Sequence, residues 1–317
     1  MTADLRRPSG TMESVLEAIG NTPLVHLRRL SPAGTELYAK LEGLNPSGSV
    51  KDRPALFMLR AAERRGDLHP GHVLLEPTSG NTGLSLAMIA RVKGYRLRVV
   101  APENLPREKI DALRLYGAEV IFSPGHEGSN GAIEAARMVD VEAKEVWMLD
   151  QYGNPANVDS HYLTTGPEVI RDLPEVTAFV AGLGSGGTLM GVSRRLKEYN
   201  PEIEVIAAEP LPGEAVQGLR SLAEGFIPPI FDASRLDRRY LVDPTEAMEM
   251  THRLLEEEGI FAGPSSGAAL VAAVRHATSR PGGKVVVLLA DGGWRYLSTG
   301  VFDPQRSEEA LASAMVW

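Results

Sequence analysis

Ala178-Phe-Val-Ala-Gly-Leu-Gly-Ser-Gly-Gly-Thr188 carries the pattern that decides the fold: four apolar residues, a glycine-rich turn, then an amphipathic stretch running towards Tyr199. A short apolar run followed by a longer helical pattern is one βα unit. Backbone N–H groups of such a turn, backed by a helix start, form a cradle for phosphate. No Gly-Lys-Ser/Thr ending follows, which disfavours a nucleoside-triphosphate loop. Gly182, Gly184 and Gly187 satisfy G-x-G-x-x-G, and Glu209 ends the next strand about 20 residues on, where a ribose-binding acid belongs. On this segment alone a dinucleotide and a monophosphate cofactor are equally served, and a tight βα turn without ligand also remains open.

The unit recurs outward in both directions. Strands are expected at Leu37–Leu41, His72–Glu76, Arg96–Ala101, Glu119–Phe122, Val146–Leu149, Ala178–Ala181, Val205–Glu209 and Lys284–Ala290, most of them followed by a helical pattern. That alternation predicts an α/β fold around largely parallel sheet. Gly, Pro, Ser and Asn punctuate Asn45–Ser49, Pro77–Gly83, Ser123–Gly128, Gly153–Asn157, Gly182–Gly187 and Gly263–Gly267, four of which precede a helix. Ligands of open α/β sheets bind where such loops gather, at the carboxyl ends of strands. A chain of 317 residues exceeds what one core usually serves, so two domains with a site between them are expected, dividing near Gln151–Asn157.

Composition narrows the function. Hydrophobic residues at 43% and charged residues at 23% are ordinary globular usage, which excludes disordered and fibrous classes. A net charge of −8 without a long basic run disfavours nucleic acid or an anionic membrane surface as partner, and favours a small molecule. There is no cysteine, so disulfides, thiolate metal sites and a cysteine nucleophile are excluded and a cytoplasmic location is suited. No metal site is expected. Met1 to Thr11 lacks the apolar core of a secretory signal and is expected to be a disordered leader, and the most apolar runs, Val285–Ala290 and Leu84–Ala90, are far too short to span a membrane.

Pro46-Ser-Gly-Ser-Val-Lys-Asp-Arg-Pro54 places Lys51 near a helix start, where burial and the helix dipole both lower an ammonium's pKa. A neutral lysine forms a Schiff base with an aldehyde cofactor, although a lone lysine at a helix start is more often a solvated charge. Glu76-Pro-Thr-Ser-Gly-Asn-Thr-Gly83 sets three hydroxyls, an amide and two glycines between a strand and the apolar helix from Leu84 to Val92. A helix cap needs one such residue; the surplus suits a carboxylate, as of an amino-acid substrate.

Six segments in register, Pro46–Arg53, Thr78–Thr82, Asn154-Pro-Ala-Asn157 with Thr164-Thr-Gly-Pro167, Gly184–Thr188, Gly263–Gly267 and Tyr296-Leu-Ser-Thr299, resemble the cysteine synthases among fold-type II pyridoxal-phosphate enzymes. The resemblance runs from about residue 13 to 302. It implies two open, twisted, largely parallel sheets flanked by helices: a smaller domain over 42–154 and a larger one over 12–41 plus 155–300. It also implies pyridoxal 5′-phosphate bound through Lys51, with Asn81 beside its 3′-oxygen, Gly184, Ser185, Gly186, Gly187 and Thr188 on its phosphate, and Ser265 at its pyridine nitrogen. Ser265 is alternatively an N-cap for a helix starting near Gly267. Thr78, Ser79, Thr82 and Gln151 would hold the substrate carboxylate. The implied reaction exchanges the β-substituent of an activated serine for sulfur through an α-aminoacrylate, with Lys51 moving the α-proton. Glu209 then has no part.

The activating group is read from Glu214–Pro228. Arg220 resembles the arginine of relatives that use O-phosphoserine, and a guanidinium grips a phosphate bidentately where an acetyl ester needs no such partner. O-phosphoserine is therefore the expected donor, with O-acetylserine as the alternative and a surface arginine as the bland explanation. A small carrier protein with a C-terminal thiocarboxylate and free sulfide are both open as sulfur sources. The resemblance further suggests a homodimer. It also suggests that the tail over 301–317, apolar at Met315-Val-Trp317, folds over the site as a lid. Cystathionine β-synthase, a dehydratase, an NAD-dependent oxidoreductase and a catalytically silent binding relative are the rivals.

Overall fold

The computed structural model describes residues 10–78, 80–142 and 145–302. Ser79, residues 1–9 of the expected leader and residues 303–317 of the expected lid lie outside the described residues. Chain order itself partitions the strands. The chain lays down β1 (Leu24–His26) and β2 (Glu36–Leu41), then β3 (Val73–Pro77), β4 (Arg96–Pro102), β5 (Glu119–Ser123) and β6 (Val146–Met148). It closes with β7 (Ala178–Gly182), β8 (Glu204–Pro210), β9 (Arg238–Val242) and β10 (Lys284–Leu289). Strands β3 to β6 form one sheet in the order β5-β4-β3-β6, and the others form a six-stranded sheet ordered β1-β2-β10-β7-β8-β9. Every pairing is parallel except β1 with β2.

All eight expected strands are present, and the fold is α/β. The two that the sequence did not reveal are edges: β1 has three residues, and β9, Arg-Arg-Tyr-Leu-Val, alternates half-buried and exposed positions up to a single buried residue, Val242. Central strands are buried on both faces, as parallel strands covered by helices must be. In β7, Ala178 and Val180 join one hydrophobic cluster while Phe179 and Ala181 join another across the sheet. Leu74 of β3 likewise packs away from its neighbours Val73 and Leu75.

Among the described residues nine helices follow in chain order: α1 (Asp52–Arg65), α2 (Asn81–Lys93), α3 (Arg107–Leu115), α4 (Gly128–Glu142), α5 (Pro155–Ser160), α6 (Gly166–Asp172), α7 (Gly187–Tyr199), α8 (Pro244–Glu258) and α9 (Pro264–Ser279). All six glycine- and proline-rich loops, rather than four, lead into a helix. Their ends have local causes. Gly66 closes α1 in the left-handed conformation behind Arg64 and Arg65, and Asp243 with Glu246 forms a capping box for α8. No helix among the described residues is long and apolar enough to cross a membrane.

Candidate active site

Loops leaving the carboxyl ends of β2, β3, β7, β8 and β10 meet at two adjoining cavities of about 30 and 120 Å³. Lys51, Gly184, Ser185 and Ser265 line both. Gly186 and Thr188 line the smaller one; Thr78, Asn81, Thr82, Gln151 and Arg220 line the larger. Residues up to 214 positions apart in sequence are thus brought to one place, where the sequence pattern had only suggested a common cleft.

Lys51 is held there by its neighbours. Val50 N–H donates to the Ala290 carbonyl at 2.8 Å, and Ser49 bridges to Asp291, so the residues before Lys51 are pinned beside the end of β10. Two residues later, in the first turn of α1, Arg53 spans a buried ion network. It meets Glu42 (2.7 and 2.8 Å) and Glu168 (2.7 Å twice), and Lys40 reaches Glu168 at 2.7 Å. Arg53 also donates to Thr164 Oγ1 at 2.9 Å, beside the π-helical turn His161–Thr165. That contact gives the Thr164-Thr-Gly-Pro167 segment a structural purpose. Lys51 itself caps α1 and, among the described residues, makes no hydrogen bond or salt bridge through Nζ. Burial lowers its pKa against a weaker opposing pull from Asp291. An unpaired, depressed amine is what a covalent aldehyde carrier requires.

The glycine cradle is shaped by what surrounds it. Gly186 adopts φ +87° before α7, a conformation that favours glycine. A side chain on Gly187 would collide with the Asn157 amide, which donates to Ser185 Oγ at 3.0 Å and to the Gln151 carbonyl at 2.7 Å. Gly187 therefore sits behind the cavity wall, supporting it. Thr188 Oγ1 lies 3.2 Å from His161 Nε2, and burial pushes that imidazole down to about 3, leaving it neutral. A phosphate ester facing Gly184–Gly186 at the start of α7, with an aldehyde reaching Lys51, matches this donor set. The dinucleotide alternative loses its acid: Glu209 accepts from Leu222 N–H at 3.1 Å and meets Arg239 at 3.4 Å, tying a turn to the sheet edge.

Ser265 is not the N-cap. Pro264 takes the first helical position of α9 and Gly263 the cap, so Ser265 falls within the first turn and faces the cavities. At the opposite end, Thr78 Oγ1 accepts from Gly80 N–H (3.1 Å), and Thr82 Oγ1 donates to Gln151 Oε1 (2.7 Å). Gln151 N–H donates to Glu76 Oε1 at 3.2 Å. Burial lifts that carboxyl to about 8, so beneath the start of α2 it carries no charge at neutral pH. Arg220 is 9% exposed, not a surface residue; its guanidinium lies 4.8 Å from the Phe226 ring centroid and 5.4 Å from that of Tyr152. It also reaches Asn130 Oδ1 at 3.3 Å.

Three participants escaped the sequence reading. Asn81 Nδ2 donates to Asp291 Oδ2 (2.6 Å), Tyr296 OH donates to the same oxygen (2.6 Å), and Arg295 donates to Asn81 Oδ1 (2.5 Å). Asp291 had one visible signal, an acid after an apolar strand and before Gly-Gly. Lys109, the third with Arg295, had none.

The model of the family described as pyridoxal-phosphate dependent enzyme matches residues 15–292. Cysteine synthase B of Salmonella typhimurium is 45% identical over 92% of this chain and 96% of its own. A crystal structure of a cysteine synthase (OASS) from Entamoeba histolytica is 33% identical, with a TM-score of 0.87 over 98% of this chain and 97% of that one. An O-acetyl serine sulfhydrylase isoform from the same organism is 30% identical, with a TM-score of 0.87 over 98% and 99%. The chain belongs to the cysteine synthase family of fold-type II pyridoxal-phosphate dependent enzymes.

Proposed function

We propose that the protein makes L-cysteine by replacing the β-substituent of an O-activated L-serine with sulfur. The observation that carries this is the meeting of unpaired Lys51, the Gly184–Gly186 cradle and the Thr78–Thr82 helix start on adjoining cavities. When bound, pyridoxal phosphate supplies the electron-withdrawing system that acidifies the substrate's α-carbon. Lys51 would hold the cofactor, and its Nζ, whose basicity burial lowers, would take the α-proton and later return it. Backbone N–H groups over Gly184–Thr188 would hold the phosphate, Ser265 would serve the pyridine nitrogen and Asn81 the 3′-oxygen. Thr78, Ser79, Thr82 and Gln151 orient the substrate through its carboxylate, an anchor that aligns the α-proton with Lys51.

Two esters compete as donor. The relatives named above support O-acetyl-L-serine better, since one of them is an O-acetyl serine sulfhydrylase by name. One observation favours O-phospho-L-serine: Arg220 is buried in the cavity wall, stacked on Tyr152 and Phe226, and its only side-chain hydrogen bond among the described residues is the long one to Asn130. A guanidinium so placed is pre-oriented for a phosphate. The sulfur arrives as sulfide or from a thiocarboxylated carrier protein, and the working unit in this proposal is a homodimer in the cytoplasm, with residues 42–154 as the smaller domain. Supplying the cofactor-loaded protein with each ester and sulfide tests the reaction. L-cysteine formation supports it, and absence of product with either ester rejects it.

A further inference from the structure

Lys109 sits in the first turn of α3 between Glu108 and Ile110, a stretch that reads as solvated, yet its side chain is 7% exposed and lines the larger cavity. Its Nζ leans over the Tyr296 ring, 4.7 Å from the centroid, and among the described residues the amine has no hydrogen bond or salt bridge. The start of α2 is directly beside it: a Cβ built on Gly80, the residue capping that 13-residue helix, would lie 3.1 Å from Lys109 Nζ. An ammonium and a helix N-terminus therefore face the same space. Both are positive, and placing them together in a half-dry site costs free energy unless an anion lies between them.

Among the described residues no carboxylate pairs with the amine, although Asp291 attracts it from a distance. Glu76 is neutral at this depth, Asp291 is already engaged by Asn81 and Tyr296, and Arg295 adds a further positive charge. Burial lowers the Lys109 amine to about 8 while Asp291 and, more weakly, Glu108 raise it, which leaves it cationic at neutral pH. We propose that Lys109 is a substrate-binding residue whose ammonium, together with the start of α2, holds the α-carboxylate of the amino-acid substrate and selects for its presence. This rests on the reading of the substrate as an α-amino acid. It adds a charged contact to a subsite that hydroxyls and an amide otherwise fill.

The test uses the cofactor-loaded enzyme and two probes that differ only in the carboxyl group, L-serine and L-serinamide, with binding followed by calorimetry. Wild type is expected to bind serine more tightly than serinamide. Lys109→Met and Lys109→Gln should each weaken serine binding about tenfold or more, the scale of a lost charge-assisted hydrogen bond, and leave serinamide within about twofold. Lys109→Arg should keep most of the preference. Variants that bind serine as wild type does, or that lose both probes equally, overturn the proposal. A wild type that binds neither probe overturns the amino-acid reading as well, and so is told apart from a failure of Lys109 alone. The glutamine variant retains a polar end, so the comparison stands if the methionine variant does not fold.

Discussion

Asn81 Nδ2 and Asp291 Oδ2 are 2.6 Å apart, so the first residue of α2 is tied to a residue two positions beyond β10, joining loops that leave the two different sheets. The same carboxylate oxygen accepts from Tyr296 OH. Removing it strands the buried Tyr296 hydroxyl and the half-buried Asn81 amide at once, and each unsatisfied buried donor costs about 1–3 kcal/mol. Asp291→Ala should therefore lower unfolding free energy by about 2–5 kcal/mol in a urea titration, whereas Tyr296→Phe, which removes only one donor, should cost about 1 kcal/mol.

Arg220 discriminates between the donor esters. Arg220→Ala should reduce kcat/KM for O-phosphoserine by about a hundredfold, as expected for loss of a bidentate ionic contact, and change it for O-acetylserine by less than about threefold. Steady-state kinetics with both esters decides. Equal losses would remove the Arg220 argument for O-phosphoserine and leave Arg220 a packing role over Tyr152 and Phe226.

The network under α1 makes the fold acid-sensitive in a definite window. Burial alone would raise the Glu168 carboxyl, but Arg53, with Lys40, outweighs it and holds the group at about 2. A carboxyl depressed in the folded state contributes stability fully above its unfolded value near 4.3, and that contribution fades as pH falls towards 2. Wild type should lose stability steeply between about pH 4.5 and 2. Glu168→Gln should be less stable at pH 7 and show a shallower slope in that interval, measured as urea midpoints across pH.

How much of this was legible depended on whether the signal was local. Val285–Leu289 and Phe179–Ala181 announce buried strands because a parallel strand is apolar on both faces, whereas β9 is an edge whose arginines face water. Gly182–Gly187 reads as a phosphate cradle from spacing alone, yet choosing its ligand required Glu209, and only the fold shows Glu209 bound to Leu222 N–H. Pro264 at a first helical position was a readable sign that Ser265 lies inside α9. Lys109 was not readable, since Arg107-Glu-Lys109 is an ordinary solvated helix start until Tyr296, about 190 residues away, closes over it.

Everything proposed for the chemistry depends on Lys51 being the amine that carries the cofactor, in a cavity where Lys109 is a second buried amine. Reducing the cofactor-loaded protein with borohydride, then mapping the pyridoxyl group by peptide mass spectrometry, tests this directly. The adduct is expected on the peptide containing Lys51 and absent from Lys51→Ala. An adduct on Lys109 in wild type, or none on Lys51, would contradict the account.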